Sequence, residues 1–181
     1  ENLIKAQTLL LKKELSKTKQ NVRILFSAHG LPKKIIQNGD PYQWQIEQTA
    51  KAIAIKAKLN KTEWRVCYQS RVGPLEWIGP SLDEEMKKAS DDNVGIVILP
   101  IAFVSEHSET LVELDIEYRN LAKSLSLPYY GRVPAIGTHP DFIFGLEKLI
   151  NDVREEGIDV LSGDSDFICP LNLVSCRQRN F

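Results

Sequence analysis

Apolar and polar residues alternate along the chain on two different scales. Four short runs are predominantly apolar: Val22 to Phe26, Trp64 to Tyr68, Gly95 to Leu99 and Tyr129 to Val133. Runs of this length read as strands buried on both faces. The segments between them carry apolar residues at helical spacing, and that alternation predicts a parallel sheet covered by helices on both sides. Leu3, Ile4, Ala6, Leu9, Leu10 and Leu15, set among lysines, predict an amphipathic opening helix. Pro41 suits the first turn of a helix reaching about Leu59. Ser81 is a candidate N-cap, with Glu84 three residues on to complete a capping box. A last helix follows Thr138-His139-Pro140, from about Asp141 to Glu155. Beyond Gly157 the pattern weakens, with a loop at Leu161 to Asp166 and an irregular stretch from Phe167 to Phe181. The expectation is one α/β domain over residues 1–156 with an extension over residues 157–181.

Open α/β sheets bind ligands beyond the carboxyl ends of their strands. The first strand is followed by Ser27-Ala28-His29-Gly30-Leu31-Pro32, the second by Gln69-Ser70-Arg71-Val72-Gly73-Pro74, and the third by Ser105-Glu106-His107-Ser108-Glu109. Two of the three histidines therefore share one sheet edge with Gln69, Ser70, Arg71 and Glu109. A neutral imidazole at His29 can take a proton or bind a metal near neutral pH. A lone histidine more often just bonds its own turn; the polar residues after the other strands reverse that balance.

In the helix after the third strand, Leu111, Leu114, Tyr118, Leu121 and Leu125 share an α-helical face that should meet the core. Glu109, Glu113 and Glu117 form a stripe roughly opposite, joined by Glu106 if the helix starts early. Such stripes are usually solvated faces. Here no Lys or Arg interrupts Glu106 to Tyr118, although the chain has 23 of them, and the stripe starts at the edge that carries His29. Carboxylates leading to a histidine suit the passage of cations or protons, because oxygen ligands exchange hard ions readily. Trp77 is as good a core residue as a stacking surface for a flat ligand. His139 reads as a turn or cap residue, and Cys67 as a small buried hydrophobe.

Composition removes several function classes. The net charge of −1 and pI near 6.4 give no basic face for nucleic acid. No run approaches the roughly 20 apolar residues of a membrane span, which still leaves room for a peripheral membrane contact. The opening Glu1-Asn2-Leu3-Ile4-Lys5 lacks the basic start and apolar stretch of a signal peptide, and its missing Met suggests a fragment or processed chain. Cys67, Cys169 and Cys176 make no C-x-x-C, which favours a reducing cytoplasm.

Three long stretches then carry a resemblance. They are Leu25-Phe26-Ser27-Ala28-His29-Gly30-Leu31-Pro32 with Asn38-Gly39-Asp40-Pro41-Tyr42; Tyr68-Gln69-Ser70-Arg71-Val72-Gly73-Pro74 with Trp77-Ile78-Gly79-Pro80; and Pro100 through Leu111 continuing to Tyr118. In this order and spacing they resemble the ferrochelatase family, over about residues 1–155. The resemblance implies a chelatase-like three-layer αβα fold with a four-stranded parallel sheet. It implies insertion of ferrous iron into protoporphyrin IX to form protoheme, the last step of heme biosynthesis. His29 would be the central catalytic group, as proton acceptor or metal ligand. Glu109 would face it across the porphyrin cavity or bind the metal, Glu113 and Glu117 would continue as a relay, and Gln69, Ser70 and Trp77 would contact the macrocycle. The motifs match the second half of a family about twice this length, so the first half, one wall of the cleft, is an expected partner. Family members are commonly peripheral to a membrane, so contact with the inner membrane from the cytoplasm is expected.

Ferrous iron enters as substrate, and no tightly bound cofactor is expected. Cys169-Pro170-Leu171-Asn172 and Cys176 resemble the cysteine cluster that holds a [2Fe–2S] centre in some relatives, but Asn172 replaces the middle cysteine. Four thiolates are the usual requirement, and with Cys67 the chain offers three. Two rival readings remain: a related tetrapyrrole chelatase acting on sirohydrochlorin, whose members usually lack the Gly-Asp-Pro-Tyr and Gln-Ser motifs, and a non-catalytic tetrapyrrole- or metal-binding module.

Overall fold

The computed structural model describes residues 1–61, 63–71, 73–156, 170 and 172–175. Four strands, β1 (Val22–His29), β2 (Trp64–Gln69), β3 (Gly95–Pro100) and β4 (Tyr130–Arg132), form a sheet in the order β2-β1-β3-β4. All its pairings are parallel. Helices α1 (Asn2–Leu15), α2 (Lys33–Gln37), α3 (Tyr42–Ala57), α4 (Leu82–Asp91), α5 (Arg119–Ser124) and α6 (Pro140–Glu156) surround it, with a π-helix at Glu109–Tyr118 preceding α5.

Successive strand residues point to opposite faces, and the two faces carry separate cores. Ile24, Phe26 and Ala28 of β1 with Val97 and Leu99 of β3 pack under Leu11 of α1 and Ile46, Ala50 and Ile53 of α3. Leu25, Cys67, Ile96 and Ile98 pack on the other side with Leu82, Met86 and Ala89 of α4, Leu114 of the π-helix and Ala122 of α5. The result is the three-layer α/β/α arrangement with a four-stranded parallel sheet. At α4 the capping box forms as its spacing predicts: Glu84 N donates to Ser81 Oγ at 3.1 Å, and Ser81 N to Glu84 Oε2 at 2.7 Å.

Three features depart from the sequence reading. First, β1 runs three residues further, to His29, because the buried Ser27 hydroxyl donates to Gln69 Oε1 at 2.7 Å. Second, the short helix α2 was not expected. Third, the helix after β3 is a π-helix, whose i→i+5 bonds widen each turn. Leu111 is consequently 48% exposed rather than in the core, while Leu114 and Thr110 are fully buried.

Leu173 is buried near the chain end, and Ser175 N donates to the Gly39 carbonyl at 3.1 Å. Gly39 sits at φ +91°, and a Cβ there would come within 2.8 Å of Val174 N. Cys169 and Cys176 lie outside the described residues; Cys67 is buried within β2. Among the described residues no helix is long and apolar enough to cross a membrane.

Candidate active site

β1 and β2 end side by side, with His29 opposite Gln69 in the register, and the loop leaving β3 leads into the π-helix above them. The connections from β1 and β3 diverge to opposite faces here, which opens the crevice that α/β sheets use for ligands.

His29 Nδ1 lies 2.7 Å from the Gly30 carbonyl. A carbonyl only accepts, so Nδ1–H is the donor of this contact and Nε2 is the ring nitrogen left to other partners. That Nε2 faces Glu109 Oε2 at 3.9 Å. The Tyr42 hydroxyl donates to the His29 carbonyl at 3.0 Å. Burial, reinforced by the Glu109 charge, pushes the Tyr42 phenol up to about 12, so Tyr42 stays a donor at neutral pH. Its part in the site was not singled out from sequence, although it ends the first quoted motif.

Glu113, one π-helical step further, accepts from both ends of the β2 exit. Gln69 Nε2 donates to Oε2 at 3.0 Å, Ser70 Oγ to the same oxygen at 2.5 Å, and Ser70 N to Oε1 at 2.9 Å. Ser70 sits at φ +59°, a region a non-glycine residue adopts only when its surroundings hold it there. Gln69 is only 1% exposed. Replacing Glu113 with alanine removes the charged acceptor from these donors, and each buried donor left unpaired costs about 1–3 kcal/mol. Urea unfolding should show a loss in that range, partly recovered by Glu113→Gln.

Trp77 forms a bridge to Pro32 and lines a cavity of about 450 Å³ with Gln69, Ser70, Arg71, Glu113 and Tyr118. Glu117 lies beyond, in a second cavity of about 250 Å³ shared with Asp83, Glu113 and Tyr118. The Tyr118 hydroxyl donates to Asp83 Oδ2 at 3.0 Å, and burial and Asp83 raise its phenol pKa. Asp83 gave no signal in the sequence because it reads as an ordinary first-turn helix acid. His29 and Glu109 face each other, Gln69 and Ser70 bond Glu113, Gln69, Ser70, Trp77 and Glu113 line the first cavity, and Glu117 lies in the second, which shares Glu113 with it. Among the described residues, no three His, Cys, Asp or Glu side chains converge as a ready metal site.

Two residues of the same edge turn elsewhere. His107 Nδ1 accepts from Glu109 N at 3.1 Å while its ring packs on Phe103, so it caps the π-helix. Glu106 leaves the acidic row and accepts from Arg132 Nη1 at 2.6 Å and Ala135 N at 2.9 Å. Burial opposes its charge, but bonds from Thr110, Arg132 and Ala135 outweigh that and hold its carboxyl below the ordinary 4.5. A carboxyl lowered on folding stabilises fully above the unfolded value. That contribution should be lost as pH falls from 4.5 through the lower folded value. Acid unfolding followed by circular dichroism should show this dependence, and Glu106→Gln should weaken it.

The His29–Glu109 separation limits what can lie between the two groups. A flat macrocycle held between two groups needs about 7 Å, two van der Waals contacts, so 3.9 Å leaves no room for a ring between them.

The ferrochelatase family model matches residues 1–153. A ferrochelatase of Caulobacter vibrioides is 48% identical over 179 residues, covering 98% of this chain and 51% of the relative. One of Pelagibacter ubique is 45% identical over 181 residues, 100% and 52%. One of Rickettsia bellii is 46% identical over 180 residues, 97% and 50%. The chain spans about half the length of the curated relatives it matches.

Proposed function

The chain belongs to the ferrochelatase family, and from that premise we propose that the polypeptide carrying it inserts ferrous iron into protoporphyrin IX. The observation that carries the proposal is the placing of His29, with Nδ1 2.7 Å from the Gly30 carbonyl and Nε2 facing Glu109 Oε2 at 3.9 Å. Insertion exchanges Fe²⁺ for two pyrrole N–H protons. His29 Nε2 takes one proton and the Glu109 carboxylate the other, from the same face of the ring. Glu113 and Glu117 continue the row, and the exposed Glu117 is its solvent end, where protons leave or cations arrive. Gln69, Ser70 and Trp77 line the space for the macrocycle.

The other wall of the cleft comes from the rest of the relatives' length. The outward side of α6 exposes Ile143, Phe144, Leu149 and Ile150, an apolar face of the kind further protein covers. The reading includes a cytoplasmic location with peripheral contact at the inner membrane, where the lipophilic porphyrin resides; sedimentation with lipid vesicles tests it. It includes no resident iron–sulfur cluster, and visible charge-transfer absorption in anaerobically purified protein would overturn that part.

The deciding experiment supplies Fe²⁺ anaerobically with protoporphyrin IX or sirohydrochlorin. Protoheme should form from the first and no product from the second. Turnover of sirohydrochlorin alone would assign a related chelatase. Porphyrin binding without turnover by the polypeptide carrying this chain would assign a binding module.

A further inference from the structure

Tyr130 and Arg132 of β4 are two residues apart, so both side chains leave the sheet on one face, toward the π-helix. The Tyr130 hydroxyl donates to the Leu114 carbonyl at 2.5 Å. Arg132 grips both oxygens of Asp115, with Nε to Oδ1 at 3.0 Å and Nη2 to Oδ2, while its Nη1 reaches Glu106. Its side chain is only 11% exposed. Bonds to Asp115 and Glu106 outweigh the cost of burial and raise its already high pKa, so it is always a cation here. The Arg119 guanidinium covers the Tyr130 ring at 4.8 Å and closes the cluster from the far side.

These anchors bracket Glu109 and Glu113, the first two acids of the row. Glu106 lies three residues before Glu109, while Leu114 and Asp115 directly follow Glu113. Glu109 and Glu113 face the other way, toward His29, Gln69 and Ser70. A π-helix is a rarer ladder than an α-helix and seldom extends beyond a single turn, so ten residues of it call for external support. A guanidinium supplies that support through its rigid fork, which meets a carboxylate with two parallel bonds and still has a donor for a second acid.

We propose that Arg132, seconded by Tyr130, is a positioning residue that holds the π-helix in place and thereby sets Glu109 against His29. The inference rests on reading the His29–Glu109 pair as the reacting centre. The test uses the polypeptide carrying this chain, with Arg132→Ala, Arg132→Lys, Asp115→Asn and the Arg132→Ala/Asp115→Asn double variant. A displacement near 1 Å costs about 10²-fold in rate, so Arg132→Ala should lower kcat about that much per folded molecule. Protoporphyrin affinity, read by fluorescence quenching, should stay nearly unchanged. Arg132→Lys should recover part of the rate, Asp115→Asn should reproduce the loss, and the double variant should be no worse than Arg132→Ala, as coupled residues behave.

Wild-type kcat per folded molecule in Arg132→Ala, or additive losses in the double variant, would overturn the inference. If Arg132→Ala does not fold, wild-type kcat in both Arg132→Lys and Asp115→Asn would overturn it equally. A parent polypeptide that inserts no iron would sink the reaction reading instead. The brace would then be judged from a crystal structure of the Asp115→Asn variant, where an unmoved π-helix would refute it.

Discussion

Alanine at His29 is expected to lower iron insertion by about 10²–10⁴-fold, the contribution of a positioned proton acceptor. The expectation follows from the ring's bonding. Its Nδ1–H is committed to the Gly30 carbonyl, which leaves Nε2 as the ring nitrogen that faces Glu109. Alanine leaves the strand-end turn intact, since Gly30 N still donates to the Gln69 carbonyl and Tyr42 still reaches the backbone oxygen of residue 29. Porphyrin binding should therefore survive while turnover disappears. Loss of porphyrin fluorescence under anaerobic Fe²⁺ measures the rate directly. Added imidazole should restore part of it if the missing group is a proton acceptor. A near-normal rate in the variant would remove His29 from the mechanism.

Glu109→Ala carries the second-largest effect, about 10²–10³-fold, as expected when an oriented charge at a reacting centre is removed. Glu109 is partly exposed, and among the described residues its carboxylate meets the distant Ser70 hydroxyl at 3.5 Å and His29 Nε2 at 3.9 Å. Its removal should thus change thermal unfolding little. Glu109→Gln is the sharper variant, because it preserves shape but can neither accept a proton nor attract a cation as an anion. Equal loss in both variants would show that charge matters at this position. Wild-type turnover in Glu109→Gln would show that only volume does. Glu117→Gln, at the exposed end of the row, should cost less than either.

Much of this architecture was legible in the residues. Buried parallel strands are almost wholly apolar, so β1 to β4 stood out, and Ser81 with Glu84 announced the start of α4. The pattern failed where polar groups are buried in pairs. Ser27 and Gln69 look like loop residues in isolation, yet they bond each other at 2.7 Å inside the sheet, and β1 was read three residues short. The same weakness hid the fates of Glu106 and His107. Arg132 lies 26 residues beyond Glu106 in sequence, and nothing in the local pattern joins them. His29 and Glu109 were found together because each follows a strand of the same sheet, and the edge rule requires no knowledge of side-chain partners. Leu111 was misplaced for a different reason. A period of 3.6 puts it in the core, but the backbone takes a wider turn here, and four residues then fall short of a full turn rather than slightly past it.

That wider turn makes the stretch from Glu106 to Tyr118 sensitive to its length more than to its composition. Removing one residue would let the ladder relax into ordinary α geometry, the sturdier form. The rotation would carry Glu113 away from Ser70 and swing Glu109 off His29. A shortened chain would gain backbone stability there and lose the facing of His29 and Glu109, so the length of this stretch matters to the candidate site as much as any side chain in it.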